Sequence, residues 1–106
     1  MEQLNSISAR EYASSENLYP SGDIYSAELT ANTEFTLSVP TGAQIAIFGY
    51  TDEVWVNYDT TASIPTGGFT KAGGEPKPKM RYIGDVSVLH FIAPRTCKCS
   101  VAFYSK

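Results

Sequence analysis

The chain has 106 residues, 42% of them hydrophobic and 12% aromatic, which suffices for the core of one domain of ordinary size. A net charge of −3 and a charged share of 18%, below the roughly one quarter of typical domains, argue against nucleic-acid binding and for a surface partly covered by protein. No apolar run is long enough to span a bilayer and none follows Met1 as in a signal peptide, so a soluble protein made in a cytoplasm, with two reduced thiols, is expected.

Residues 1–20 are polar and irregular, with scattered Leu4, Ile7, Tyr12, Leu18 and Tyr19. A helix over residues 8–16 would have only a thin apolar face. The segment reads as an extended N-terminal arm, disordered alone or laid over a neighbour. Pro20-Ser21-Gly22-Asp23 is a turn cluster, and a β-domain over residues 21–106 is expected after it.

Strand signals then come at short spacing. Residues 24–30 alternate weakly. Residues 32–39 alternate well, with Phe35, Leu37 and Val39 inward and Glu34, Thr36 and Ser38 outward. In residues 44–50, Ile45 and Ile47 oppose Ala46, Phe48 and Tyr50. Thr51-Asp52-Glu53 leads into residues 54–58, where Val54, Val56 and Tyr58 share a face, and these two runs are expected to pair as a β-hairpin. Residues 61–64 read as a short strand stopped by Pro65. Residues 66–79, with four glycines and two prolines, read as one long loop, after which Tyr82 and Ile83 resume pairing.

Residues 86–93 are the most hydrophobic run. Val86, Val88 and Ile92 lie on one face and Leu89, Phe91 and Ala93 on the other, as in a central strand covered on both sides. Pro94-Arg95 turns the chain into a last strand adjacent to it. There Cys97, Cys99, Val101 and Phe103 face one way, and Thr96, Lys98, Ser100, Ala102 and Tyr104 the other. Short strands with Gly/Pro turns and no helical periodicity predict an all-β domain. It is a single antiparallel β-sandwich, jelly-roll-like, or a small barrel.

Little in the chain reads as chemistry. Cys97-x-Cys99 offers two ligands where a closed zinc site needs about four, and His90 has no ligand spacing to it. A disulfide between residues two apart in a strand would need distorted geometry. Core thiols are therefore expected, with a site shared across a symmetry axis as the remaining option. His90 reads as a hydrogen-bonded structural histidine, pH-sensitive if it sits between subunits. Asp52 and Glu53 are adjacent and diverge, which spoils them as paired catalytic carboxylates. Thr66-Gly67-Gly68 and Ala72-Gly73-Gly74-Glu75 lack the helix that a phosphate loop requires. No nucleophile elbow or triad stands out. No catalytic residue, metal or cofactor is assigned, and an enzyme is not expected.

Two groups of residues read instead as contact surfaces. Tyr50, Trp55, Asn57, Tyr58 and Tyr82 can stack on sugar rings or fill a protein interface. If the Val54 face is core, Trp55 is exposed; the alternative packs it under the arm or inside a second sheet. The other group is charged. Residues 1–60 hold nine acids and one base, whereas residues 61–106 hold seven bases and two acids. Lys71, Lys77, Lys79 and Arg81 lie in one Gly/Pro-rich segment, which suits an acidic surface on a neighbouring subunit unless the two halves mix in space.

The order of segments resembles small β-rich phage virion proteins. A strand ends at Val39-Pro40, and Val54-Trp55-Val56-Asn57-Tyr58 follows. Ala62-Ser63-Ile64-Pro65 precedes a Gly-rich loop, and Ile92-Ala93-Pro94 leads into the Cys-containing terminal strand. The likeness covers roughly residues 37–104, without a catalytic motif; the basic loop departs from the pattern. It implies a virion structural protein, made in the host cytoplasm, that decorates or cements a capsid or serves in a tail. Its partners would be itself, as a homo-oligomer such as a trimer, and the major capsid or another virion protein. Neither nucleic acid nor a membrane is expected as partner. The alternative is a glycan-binding module on Trp55, Asn57 and Tyr58.

Overall fold

The computed structural model describes residues 21–69, 71 and 73–105, together with the backbone of residues 2 and 3. The rest of the expected arm, including the helix considered over residues 8–16, lies outside the described residues. In chain order the strands are β1 (Glu2–Gln3), β2 (Ile24–Leu29), β3 (Phe35–Ser38), β4 (Ile45–Tyr50), β5 (Trp55–Tyr58), β6 (Glu75–Pro76), β7 (Met80–Tyr82), β8 (Val88–Ile92) and β9 (Cys97–Ser105). No helix occurs among the described residues.

From β2 onward the chain is one antiparallel ribbon. β2 pairs with β9, β3 with β8, β4 with β7 and β5 with β6, so the tip of the ribbon is the loop between β5 and β6. The ribbon then wraps on itself, because β9 also pairs with β4, and β8 with β5. Two sheets result: β2-β9-β4-β7, here sheet A, and β3-β8-β5-β6, here sheet B. This is the strand order of an eight-stranded jelly roll. β1 adds two residues parallel to the end of β9, opposite Tyr104 and Ser105. The expected antiparallel β-sandwich is the fold.

Wrapping also corrects the expected local pairings. β4 and β5 are not a hairpin: the first belongs to sheet A and the second to sheet B. β8 and β9 are likewise in opposite sheets. Both connections cross the end of the sandwich, and Arg95 ties them together through Nε to Asp52 Oδ2 at 3.0 Å and Nη2 to Asp52 Oδ1 at 2.8 Å. Residues 61–64 form no strand, and the expected loop over residues 66–79 contains β6. Pro76 is tolerated there because β6 is an edge strand.

Alternation sets the core. Phe103, Val101, Cys99 and Cys97 of β9 turn inward while Lys98 is exposed. They meet Ala46 and Phe48 of β4, Val56 of β5, Leu89 and Phe91 of β8, and the flanking Leu29, Val54 and Ile83. The Phe48 and Phe91 rings join the sheets edge to face, with centroids 6.4 Å apart. Phe35, Leu37 and Val39 pack on this core from β3, as their alternation predicts. At the Pro40–Ala43 turn, Ala43 N–H donates to Pro40 O at 3.1 Å, and Gly42 takes φ of 89°, a conformation that glycine accepts without a Cβ clash.

Phe103 has no exposed surface and is the largest fully buried side chain among the described residues. Phe103→Ala is expected to cost about 3–5 kcal/mol in a urea titration, with the slope unchanged. A loss under about 1 kcal/mol would place the packing centre elsewhere.

Candidate functional site

Strand register sorts the candidate residues into structural ones and surface ones. Glu75 stands opposite Val56, and Arg81 opposite Ala46, so both charged residues take inward positions on edge strands. They meet across the gap between the sheets, with Arg81 Nη2 2.6 Å from Glu75 Oε1 and Arg81 Nε 2.8 Å from Oε2. Tyr58 O–H donates to the same carboxylate at 2.6 Å, and Tyr50 O–H donates to Pro78 O at 2.7 Å. Burial pushes both phenols up, with the neighbouring Glu75 carboxylate adding to the effect. The Arg81 hydrogen bonds hold the Glu75 carboxyl below its ordinary value. Tyr50, Tyr58 and Arg81, three of the candidate interface residues, thus close one side of the sandwich.

The basic segment is correspondingly dispersed. Lys71, Lys77 and Lys79 are exposed, but Arg81 is spent on Glu75. Charges from the two halves of the chain also mix. Asp52 pairs with Arg95, whose hydrogen bonds hold its carboxyl well below the usual range, and Glu28 lies opposite Lys98.

Trp55 and Asn57 lie on the outer face of sheet B, half-buried rather than free. Trp55 Nε1–H donates to Glu53 Oε2 at 2.6 Å. Asn57 Nδ2 donates to Thr61 O at 3.1 Å, and Glu34 Oε2 accepts from Ala62 N–H at 2.8 Å and sits 3.3 Å from His90 Nδ1. His90 therefore helps fasten residues 61–62 onto the sheet, which accounts for its place in a hydrophobic strand. The β5–β6 loop continues over Trp55 and leaves a groove of about 430 Å³ lined by Trp55, Ser63, Pro65, Phe69 and four glycines. Phe69 is fully exposed at its rim. Gly74 is required beneath it, because φ is 110° and a Cβ would lie 2.4 Å from Val56 O.

The outer face of sheet A carries a surface of which the candidate residues included only Tyr82. Ile24, Ala102, Ile47 and Met80 are register partners across β2, β9, β4 and β7. Ile45 and Tyr82 form the adjacent row with Tyr104, which is itself buried. Ile24, Met80 and Tyr82 are 53%, 41% and 61% exposed. Beside these rows Ser26, Ser100 and Gly49 form a row of small side chains. The sequence signal was present: residues 45–50 are apolar at both parities, so one of their two apolar faces had to point outward.

Cys97 and Cys99 are free and buried, and burial pushes the Cys99 thiol up to about 11. Cys97 is raised for the same reason. Among the described residues no group of three or more His, Cys, Asp or Glu is placed to hold a metal ion.

Two outcomes are expected. At pH 8 both thiols react with a disulfide reagent only at the rate of unfolding; prompt stoichiometric reaction of the native protein would contradict their burial. A carboxyl held below its ordinary value of 4.5 adds stability that is present above that value and lost as pH falls through its folded pKa. Glu75→Gln should cost about 1 kcal/mol at neutral pH and flatten the fall in thermal midpoint below that value. Parallel acid curves for the variant and the wild type would remove Glu75 from the account. Compared with protein-family models, with curated proteins and with solved structures, the chain matches nothing.

Proposed function

We propose that the protein is a structural component of a phage virion, acting as a capsid decoration or cement protein through protein–protein contacts. The observation that carries this reading is the apolar outer face of sheet A, where Ile24, Met80 and Tyr82 are exposed and Ala102, Ile47 and Ile45 lie half-buried between them. A continuous apolar sheet face bordered by polar residues is a docking surface rather than scattered exposure. The jelly-roll strand order is one that capsid proteins use, and lectins use it too, so the fold alone is an analogy. Weak contacts repeated in many copies give firm attachment without a large single interface.

A second reading is favoured by the groove over Trp55. Tyr58 faces the core and Asn57 holds the loop, which leaves Trp55 and Phe69 as the aromatic walls of a glycan site.

Co-sedimentation with emptied heads of the phage that encodes the chain separates the two. Wild-type protein is expected to pellet with the particles, and Ile47→Lys to lose at least about tenfold in apparent affinity while keeping its thermal midpoint. Protein that stays in the supernatant at all concentrations would refute the virion reading. Binding on a glycan array that disappears with Trp55→Ala would put the glycan reading in its place.

A further inference from the structure

The two open sides of the sandwich are treated differently. On the β6/β7 side, the edges carry Pro76 and the inward pair Glu75–Arg81, with Lys77, Pro78 and Lys79 between them. Prolines, lysines and inward charges are the devices that keep an edge from pairing with another strand. On the β2/β3 side these devices are missing. β2 runs six residues in unbroken register against β9, contains neither proline nor lysine, and has no described strand on its other edge. Tyr25 turns inward beside Phe103, with ring centroids 5.7 Å apart, yet is 41% exposed because the gap next to it is open. That gap is a cleft of about 190 Å³ lined mainly by apolar side chains, among them Leu29, Phe35, Leu37 and Phe91.

We propose that the edge of β2 turned away from β9, which carries no described strand, is a strand-pairing site for a second copy of this chain, joined antiparallel about a two-fold axis at Ala27. The strand is complementary to itself in that register. Residues opposite one another across an antiparallel pair must share a face, so the axis has to fall on a residue and not between two. With the axis at Ala27, Tyr25 stands opposite Leu29 of the second copy and extends the core across the junction. Ser26 stands opposite Glu28, so like charges do not meet, and the small Ala27 side chains face each other on the axis. With the axis at Ser26, Ile24 would stand opposite Glu28 and Tyr25 opposite Ala27, and the apolar match would be lost. This assignment goes beyond the virion reading and does not depend on which surface, if any, the protein decorates.

Sedimentation velocity of the full chain at about 100 μM, above the micromolar range of weak interfaces, tests it. A species of twice the chain mass is expected. Ser26→Lys, which lands opposite Glu28, keeps that species. Ala27→Lys, which sets two ammonium groups on the axis, gives monomer with an unchanged thermal midpoint. A wild-type monomer overturns the proposal, as does a dimer that survives Ala27→Lys, and so does an edge that pairs only with a strand of a different protein. Should Ala27→Lys fail to fold, oxidised Ala27→Cys decides. A disulfide-linked dimer on a non-reducing gel supports the two-fold at this residue, since the native thiols are buried, and monomer alone overturns it.

Discussion

β9 is hydrogen-bonded on both edges, to β4 along one and to β2 and then β1 along the other. Its inward residues, from Cys97 to Phe103, form the floor on which sheet B packs. The pairing of β9 with β4 is also what turns a flat ribbon into a wrapped one, because β4 already belongs to β7. A strand whose burial alternates from Cys97 to Phe103 can do this only if every inward position is apolar, since a slip of one residue would bury Lys98. The two cysteines are explained by that demand. They are small, apolar in behaviour, and take inward positions at the start of the strand.

A wrapped ribbon leaves two open sides, and their chemistry decides which parts of the protein are scaffold and which are surface. Glu75 and Arg81 would each be costly as unpaired inward charges. Facing each other, with Tyr58 completing the carboxylate, they satisfy one another and make the β6/β7 edges unattractive to a foreign strand. Residues that read as binding groups are consumed in that closure. Tyr50 is drawn in the same way to the carbonyl of Pro78.

The strand pattern was legible along residues 35–39, 54–58 and 97–103, which turn as their alternation requires; Tyr104, on the outer face, is nevertheless buried. Pairing partners were not legible. A connection of three or four residues joins a hairpin or crosses between sheets equally well, and only the competition among all strands for partners sends β4 and β5 apart. The same limit hid the Glu75–Arg81 pair, whose members lie on different sheets and meet because of two independent registers. Trp55 was correctly assigned to the face away from Val54, but its cover comes from the β5–β6 loop, and a loop's path over a sheet leaves no periodic trace in sequence.

Sheet A joins the two surface readings geometrically. A two-fold axis normal to the sheet at Ala27 leaves the outer faces of both copies pointing the same way. The row Ile24–Ala102–Ile47–Met80, with Ile45 and Tyr82 beside it, would then lie on one side of a continuous sheet, duplicated about the axis. Ile24, at the β2 margin of its row, would sit next to the junction. An isolated copy offers one apolar patch of modest size, whereas the pair offers two held at fixed separation. The second contact with a repetitive surface would then be intramolecular, with an effective concentration set by that rigid spacing. Strand pairing on the edge and docking on the face are thus compatible, since the first uses backbone groups in the plane of the sheet and the second uses side chains normal to it.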